Sequence, residues 1–113
     1  MKICIICPVR NGVPEEVTNY VSQQEAGGNK VHFPPRDNPQ SDPIGNVICE
    51  TMKRAIAQAE EVHIFYTAES QGTHFDLGMA FALGKRLVLI NNPQDRDGKS
   101  YIKVIKSRSV NSE

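Results

Sequence analysis

The chain has 113 residues, enough for one hydrophobic core and too few for two full domains. Thirteen basic residues against thirteen acidic ones leave no net charge, which argues against a protein drawn to nucleic acid or to a membrane surface by a basic excess. Three cysteines cannot all pair within one chain, and no apolar run approaches the ~18–20 residues that cross a bilayer. A small cytoplasmic domain in a reducing compartment is expected, with no secretory leader, because the first residues carry no small-residue cleavage pattern.

Lys2 to Cys7 is an apolar, β-branched run ended by Pro8. It lacks the alternation of a half-exposed strand, so both faces are expected to be buried, as in a parallel sheet. Gly12 and Pro14 mark a turn, and Val13, Val17, Tyr20, Val21 and Gln24 keep a helical spacing that Gly27-Gly28 ends. Val31 to Phe33 is a short second strand. Pro34 to Pro43 holds four of the seven prolines and predicts an ordered loop or flap without regular structure. Asp42 is then expected to cap a helix that opens at Pro43. Ile44, Val47, Ile48, Met52, Ala55, Ile56 and Ala59 recur at three and four, as one buried face requires.

Val62 to Tyr66 is a third strand. A polar loop from Thr67 to Thr73 follows, with Thr73 or Gln71 as the expected cap of the next helix. Phe75 to Leu83 is apolar almost all round, which predicts deep packing, and Gly84 ends the helix. Arg86 to Ile90 is a fourth strand, Asn91 to Ser100 is turn-rich, and Tyr101 to Ile105 closes the domain as a strand or a short helix. The domain is placed at 1–106, and the Ser-rich segment 107–113 is expected to fray. Strands alternating with helices predict an α/β layered fold around a parallel sheet. The ligand site of such a sheet lies beyond the carboxyl ends of its strands. Pro8–Gly12, Pro34–Asp42 and Thr67–Asp76 should meet there.

Several tempting patterns fail. Gly98-Lys99-Ser100 imitates the end of a phosphate-binding P-loop, but Pro93 holds the earlier glycine position. Cys7-Pro-Val-Arg10 imitates a cysteine-phosphatase loop, but Val13 stands where that loop needs arginine. Cys4 and Cys7 have C-x-x-C spacing, yet within a strand residues three apart point to opposite faces, so they read as packed thiols. His32, His63 and His74 have no metal-ligand spacing, and no metal is expected.

The segment Glu69-Ser-Gln-Gly-Thr-His-Phe-Asp-Leu-Gly-Met-Ala-Phe-Ala-Leu-Gly-Lys85 carries more. Ser70, Gln71, Gly72 and Thr73 precede a helix start, where free N–H groups and the helix dipole favour an anionic or hydroxyl-rich ligand. Asp76, in the first turn, is either a surface acid that complements the dipole or a poorly solvated pocket carboxyl with a raised pKa.

Here the sequence resembles the nucleoside 2-deoxyribosyltransferase family, including its branch of 2'-deoxynucleoside 5'-monophosphate glycosidases. Ala59-Glu60 stands for the Ala-Asp pair before a strand, Asp76-Leu77-Gly78 for a Glu-Leu-Gly, and Gly84-Lys85 for a Gly-Lys that leads into the fourth strand. Pro8-Val-Arg-Asn-Gly12 is similar to the family's first turn. The pattern spans most of the chain, with residues 55–91 specific.

The resemblance implies a three-layer flavodoxin-like, Rossmann-like domain with four or five parallel strands. It also implies a nucleoside or nucleotide as the small-molecule partner, no cofactor, and a homo-oligomer. In the family a carboxylate attacks the anomeric carbon and holds a 2-deoxyribosyl ester, which a nucleobase or water resolves. Asp76 occupies that catalytic position by resemblance, and Ser70 falls on a phosphate-contacting serine. Gly72 and Thr73 match the loop, with Pro8, Val9, Arg10 and Asn11 in the first loop and Tyr66 and His74 as orienting groups. Arg10 is alternatively a solvated loop charge. Two departures are visible: Asp76 is one methylene shorter than glutamate, and Met52 stands where the family has a second aspartate. A transferase or hydrolase of the N-glycosidic bond, a nucleotide-binding module without chemistry and an unliganded scaffold therefore all remain open.

Overall fold

A computed structural model describes residues 1–95 and 97–111, the last of these by its backbone alone. Five strands form one sheet: β1 (Lys2–Ile6), β2 (Lys30–His32), β3 (Glu61–Ile64), β4 (Arg86–Leu89) and β5 (Ser109–Asn111), in the order β2-β1-β3-β4-β5. Every pairing is parallel. Five helices connect them: α1 (Glu15–Ala26), α2 (Pro34–Asp37), α3 (Asn46–Gln58), α4 (Gln71–Ala82) and α5 (Tyr101–Arg108). This is the expected α/β fold, with a flavodoxin-like strand order.

The unalternating strand runs are explained by burial on both faces. Ile3, Ile5 and Val31 pack against Val17 and Val21 of α1 in one cluster. On the other face Cys4, Ile6, Val62, Ile64 and Leu87 meet Met52 and Ile56 of α3, Leu77 and Ala80 of α4, and Ile102 and Ile105 of α5. The layers are thus unequal, with one long helix against three. Cys4 and Cys7 fall in different clusters, as the strand period requires.

Four local expectations are corrected. The proline-rich segment is not wholly irregular. Pro34 and Pro35 open the single turn α2, Gln40 Nε2 donates to the carbonyls of Pro34 and Asn38, and His32 bonds Asn38 at 2.7 Å. Helix α3 begins three residues later than expected, because Gly45 adopts a left-handed φ of 89° at the N-cap. Asp42 still serves that helix from outside it, its carboxylate accepting from the N–H groups of Val47 and Ile48. Third, α4 is not packed all round: Phe75, Phe81 and Leu83 are 57%, 47% and 49% exposed. The guanidinium of Arg108 lies over the Phe81 ring, 4.4 Å from its centroid. Finally, Ser107 and Arg108 complete α5 and Ser109–Asn111 pair as β5, while residues 112–113 of the expected tail lie outside the described residues. No helix among the described residues is long and apolar enough to cross a membrane.

Candidate functional site

In the order β2-β1-β3 successive connections leave β1 toward opposite edges of the sheet, which makes the carboxyl ends of β1 and β3 the switch point where a sheet of this kind places its ligand site. The two strands are locked to that point, since Phe65 N–H donates to the Ile6 carbonyl at 2.8 Å. The loop after β1 carries Pro8 to Gly12, and the loop after β3 leads into α4.

Helix α4 is capped by Ser70, whose hydroxyl accepts the Thr73 N–H at 3.1 Å. Ser70, and neither Gln71 nor Thr73, is therefore the cap. The Ser70 carbonyl accepts from His74 Nδ1 at 2.7 Å. A carbonyl only accepts, so Nδ1 donates, and Nε2 is hydrogen-bonded to the Tyr66 hydroxyl at 2.7 Å. The rings of Tyr66 and His74 meet edge-on, and Tyr101 meets His74 from the other side. Tyr66, Ser70, Thr73 and His74 thus form one connected group. Gly72 lies in the first turn with open space where a Cβ would stand.

Asp76 is three residues on from Thr73 and two on from His74 in the same helix, so it shares the flank of Thr73 and not that of His74. Burial pushes its carboxyl up to about 6. Its charge reaches Cys4 and Cys7, whose thiols are raised to about 12 chiefly by burial and secondarily by Asp76. Asp76 therefore stands over the carboxyl half of β1. No described residue bonds its carboxylate. Among the described residues Thr73 Oγ1 is likewise buried with no hydrogen-bond partner.

The first loop is less committed. Gly12, at φ 97°, closes a turn onto the Val9 carbonyl, and Val9 packs on the α1 cluster beside half-buried Pro8. Arg10 and Asn11 are exposed and make no bond to the α4 group. Met52 is fully buried in the core, and Glu50 is turned outward to Lys53 at 3.3 Å, so α3 supplies no second acid beside Asp76. Glu60 lies at the amino end of β3, accepting the Lys2 N–H at 3.0 Å, and has no part in the crevice. The described residues contain no group of side chains suited to a metal ion.

Two contributors escaped the sequence patterns. Asn91 brackets the backbone of Tyr66, and Tyr101 backs His74. The polar pair Asn91-Asn92 directly after the apolar run ending at Ile90 was the available signal for Asn91.

Comparison with solved structures gives the fold a context. A 2-deoxyribosyltransferase from the psychrotolerant bacterium Bacillus psychrosaccharolyticus, described as a biocatalyst for nucleoside synthesis, superposes with a TM-score of 0.78 at 17% identity. The match covers 100% of this chain and 86% of the other. The fold is shared. The CMP N-glycosidase BcmB of Clostridium botulinum superposes with a TM-score of 0.66 at 19% identity, over 98% of this chain and 85% of that one. At these identities the likeness is one of fold. No family model and no curated protein matches the sequence.

Proposed function

We propose that the protein cleaves or transfers the N-glycosidic bond of a nucleoside or nucleotide, with Asp76 as the nucleophile. The observation that carries this reading is the Asp76 carboxyl. It is poorly solvated, without a hydrogen-bond partner among the described residues and raised to about 6, at the β1/β3 crevice of a fold that a deoxyribosyltransferase and a nucleotide N-glycosidase share. A structural carboxylate is held ionised by donors; this one is left reactive. Above pH 6 it is ionised, with no donor from the described residues on it. In the crevice it attacks the anomeric carbon as the base departs, and an ester forms through an oxocarbenium-like transition state. Water or a second base then breaks that ester.

The surrounding groups suit such a ligand. Ser70 accepts from Thr73 but keeps its own hydroxyl proton for a phosphate or sugar oxygen. The start of α4 adds backbone N–H groups and a positive dipole end. Arg10, exposed on the first loop, is the cation this reading assigns to a phosphate. A homo-oligomer and a cytoplasmic location belong to the same proposal, and light scattering of the purified protein tests the first.

One observation favours a second reading, a nucleotide-binding module without turnover. The shorter Asp76 has no companion acid, because Met52 fills that place in the core. A single experiment separates the two. Purified protein is incubated with deoxynucleosides and their monophosphates, with and without a free acceptor base, beside Asp76→Ala. Base release or exchange that disappears in the variant establishes the enzyme. Ligand-induced thermal stabilisation with no product establishes the binding module.

A further inference from the structure

A groove of about 790 Å3 runs between the edge strand β2 and the second half of α3, and touches none of Arg10, Ser70, Thr73 or Asp76. Its charged lining is Lys2, Lys30, Arg36 and Arg54 against Glu25 and Asp37. Both acids are taken: Arg36 holds Glu25 at 3.1 and 3.2 Å and Asp37 at 3.0 Å. Lys2, Lys30 and Arg54, all exposed, make no ion pair among the described residues, although the Glu60 carboxylate accepts the Lys2 backbone N–H nearby.

The register sets two of these cations side by side. Lys2 and Lys30 are direct cross-strand partners, so both ammonium groups project from one face of adjacent strands. Like charges in that relation repel. Arg54 adds a third cation from α3. Serving the nearby helix ends does not account for them. The carbonyls at the end of α3 already receive Lys85 Nζ, at 2.8 Å from Ala57 and 2.9 Å from Ala59. Those at the end of α1 are closed by the N–H groups of Gly27, Gly28 and Asn29.

We infer that this groove is a second ligand site, which takes a small soluble molecule bearing a polyphosphate group. Three cations from two strands and a helix line one groove with no ion pair among the described residues, which suits an anion carrying several charges. Nucleic acid fits less well, because the chain as a whole has no basic excess. The site lies on the β2 edge, apart from the crevice, and does not depend on the activity proposed for Asp76.

The test is titration of the intact chain with sodium tripolyphosphate, followed by calorimetry and amide NMR. One saturable event is expected, with shifts concentrated around Lys2, Lys30 and Arg54 and weakening as salt rises. Lys30→Gln combined with Arg54→Gln should weaken it about tenfold or more through loss of two charge-assisted contacts, while Arg10→Gln leaves it unchanged. In the absence of polyanion, Lys30→Gln should raise the melting temperature, since it relieves the repulsion from Lys2, and this also shows that the variant folds. The inference is overturned by an absence of saturation, by shifts centred on the start of α4, or by binding that survives the double substitution.

Discussion

The side chain of Asn91 holds both backbone polar groups of Tyr66: Oδ1 accepts the Tyr66 N–H and Nδ2 donates to the Tyr66 carbonyl, each at 2.9 Å. It acts as one more rung of the β3–β4 ladder after the strands have ended, and so fixes the point from which Tyr66 reaches His74. Asn91→Ala leaves a partly buried donor and acceptor unpaired, and destabilisation of about 2–4 kcal/mol is expected in urea unfolding. Asn91→Asp keeps the acceptor but sets a carboxylate oxygen against the Tyr66 carbonyl, so it should also destabilise and not restore the parent's stability.

The raised carboxyl of Asp76 gives the proposed reaction a pH profile. A nucleophile must be ionised, so kcat/KM should climb through a limb centred near pH 6 and level off above it. An unperturbed carboxylate would place that limb about two units lower. Initial rates of base release between pH 4 and 8 check this, and Asp76→Ala should remove the activity while keeping the fold.

The same shift carries a stability cost. Below the ordinary value of 3.8 the carboxyl is protonated whether folded or unfolded, and no penalty exists. As pH rises the unfolded chain ionises first, and stability falls until the folded group ionises near 6. Asp76→Asn should therefore be more stable than the parent by about 1–3 kcal/mol at pH 7.5, with the gain fading toward pH 4. Denaturant unfolding at the two pH values measures it.

Thr73 tests the buried hydroxyl. Its Oγ1 makes no hydrogen bond among the described residues, so Thr73→Val removes an uncompensated polar atom and should leave stability unchanged or raise it by up to about 1 kcal/mol. Urea unfolding of the variant beside the parent protein measures it.

The strand runs and the stripe on α3 were legible in the sequence because burial on one or two faces leaves a period that composition cannot hide. Helix boundaries were less so. Gly45 and Ser70 set where α3 and α4 begin, and both act through a single dihedral or hydroxyl that leaves no periodic trace. The apolar run from Phe75 to Leu83 suggested deep packing, but α3 and the sheet cover only the side bearing Thr73, Leu77 and Ala80. Within the resembling segment, Gly84 turns the chain at φ 65° and Lys85 ties α4's exit to the end of α3, so these two positions serve architecture. The connected group of Tyr66, Ser70 and His74 lay within reach of the motif, whereas Asn91 and Tyr101 join it only through folding.

The division of Cys4 and Cys7 between the two cores has a practical consequence for anyone who wishes to watch the molecule move. With both thiols raised to about 12 and enclosed, only about one in 10⁵ is thiolate at neutral pH. Cys49, on the flank of α3, is partly exposed. A maleimide dye or nitroxide should therefore attach to the unaltered chain at Cys49 alone. That places a reporter on the helix whose later turns wall the basic groove, and no cysteine need be removed first.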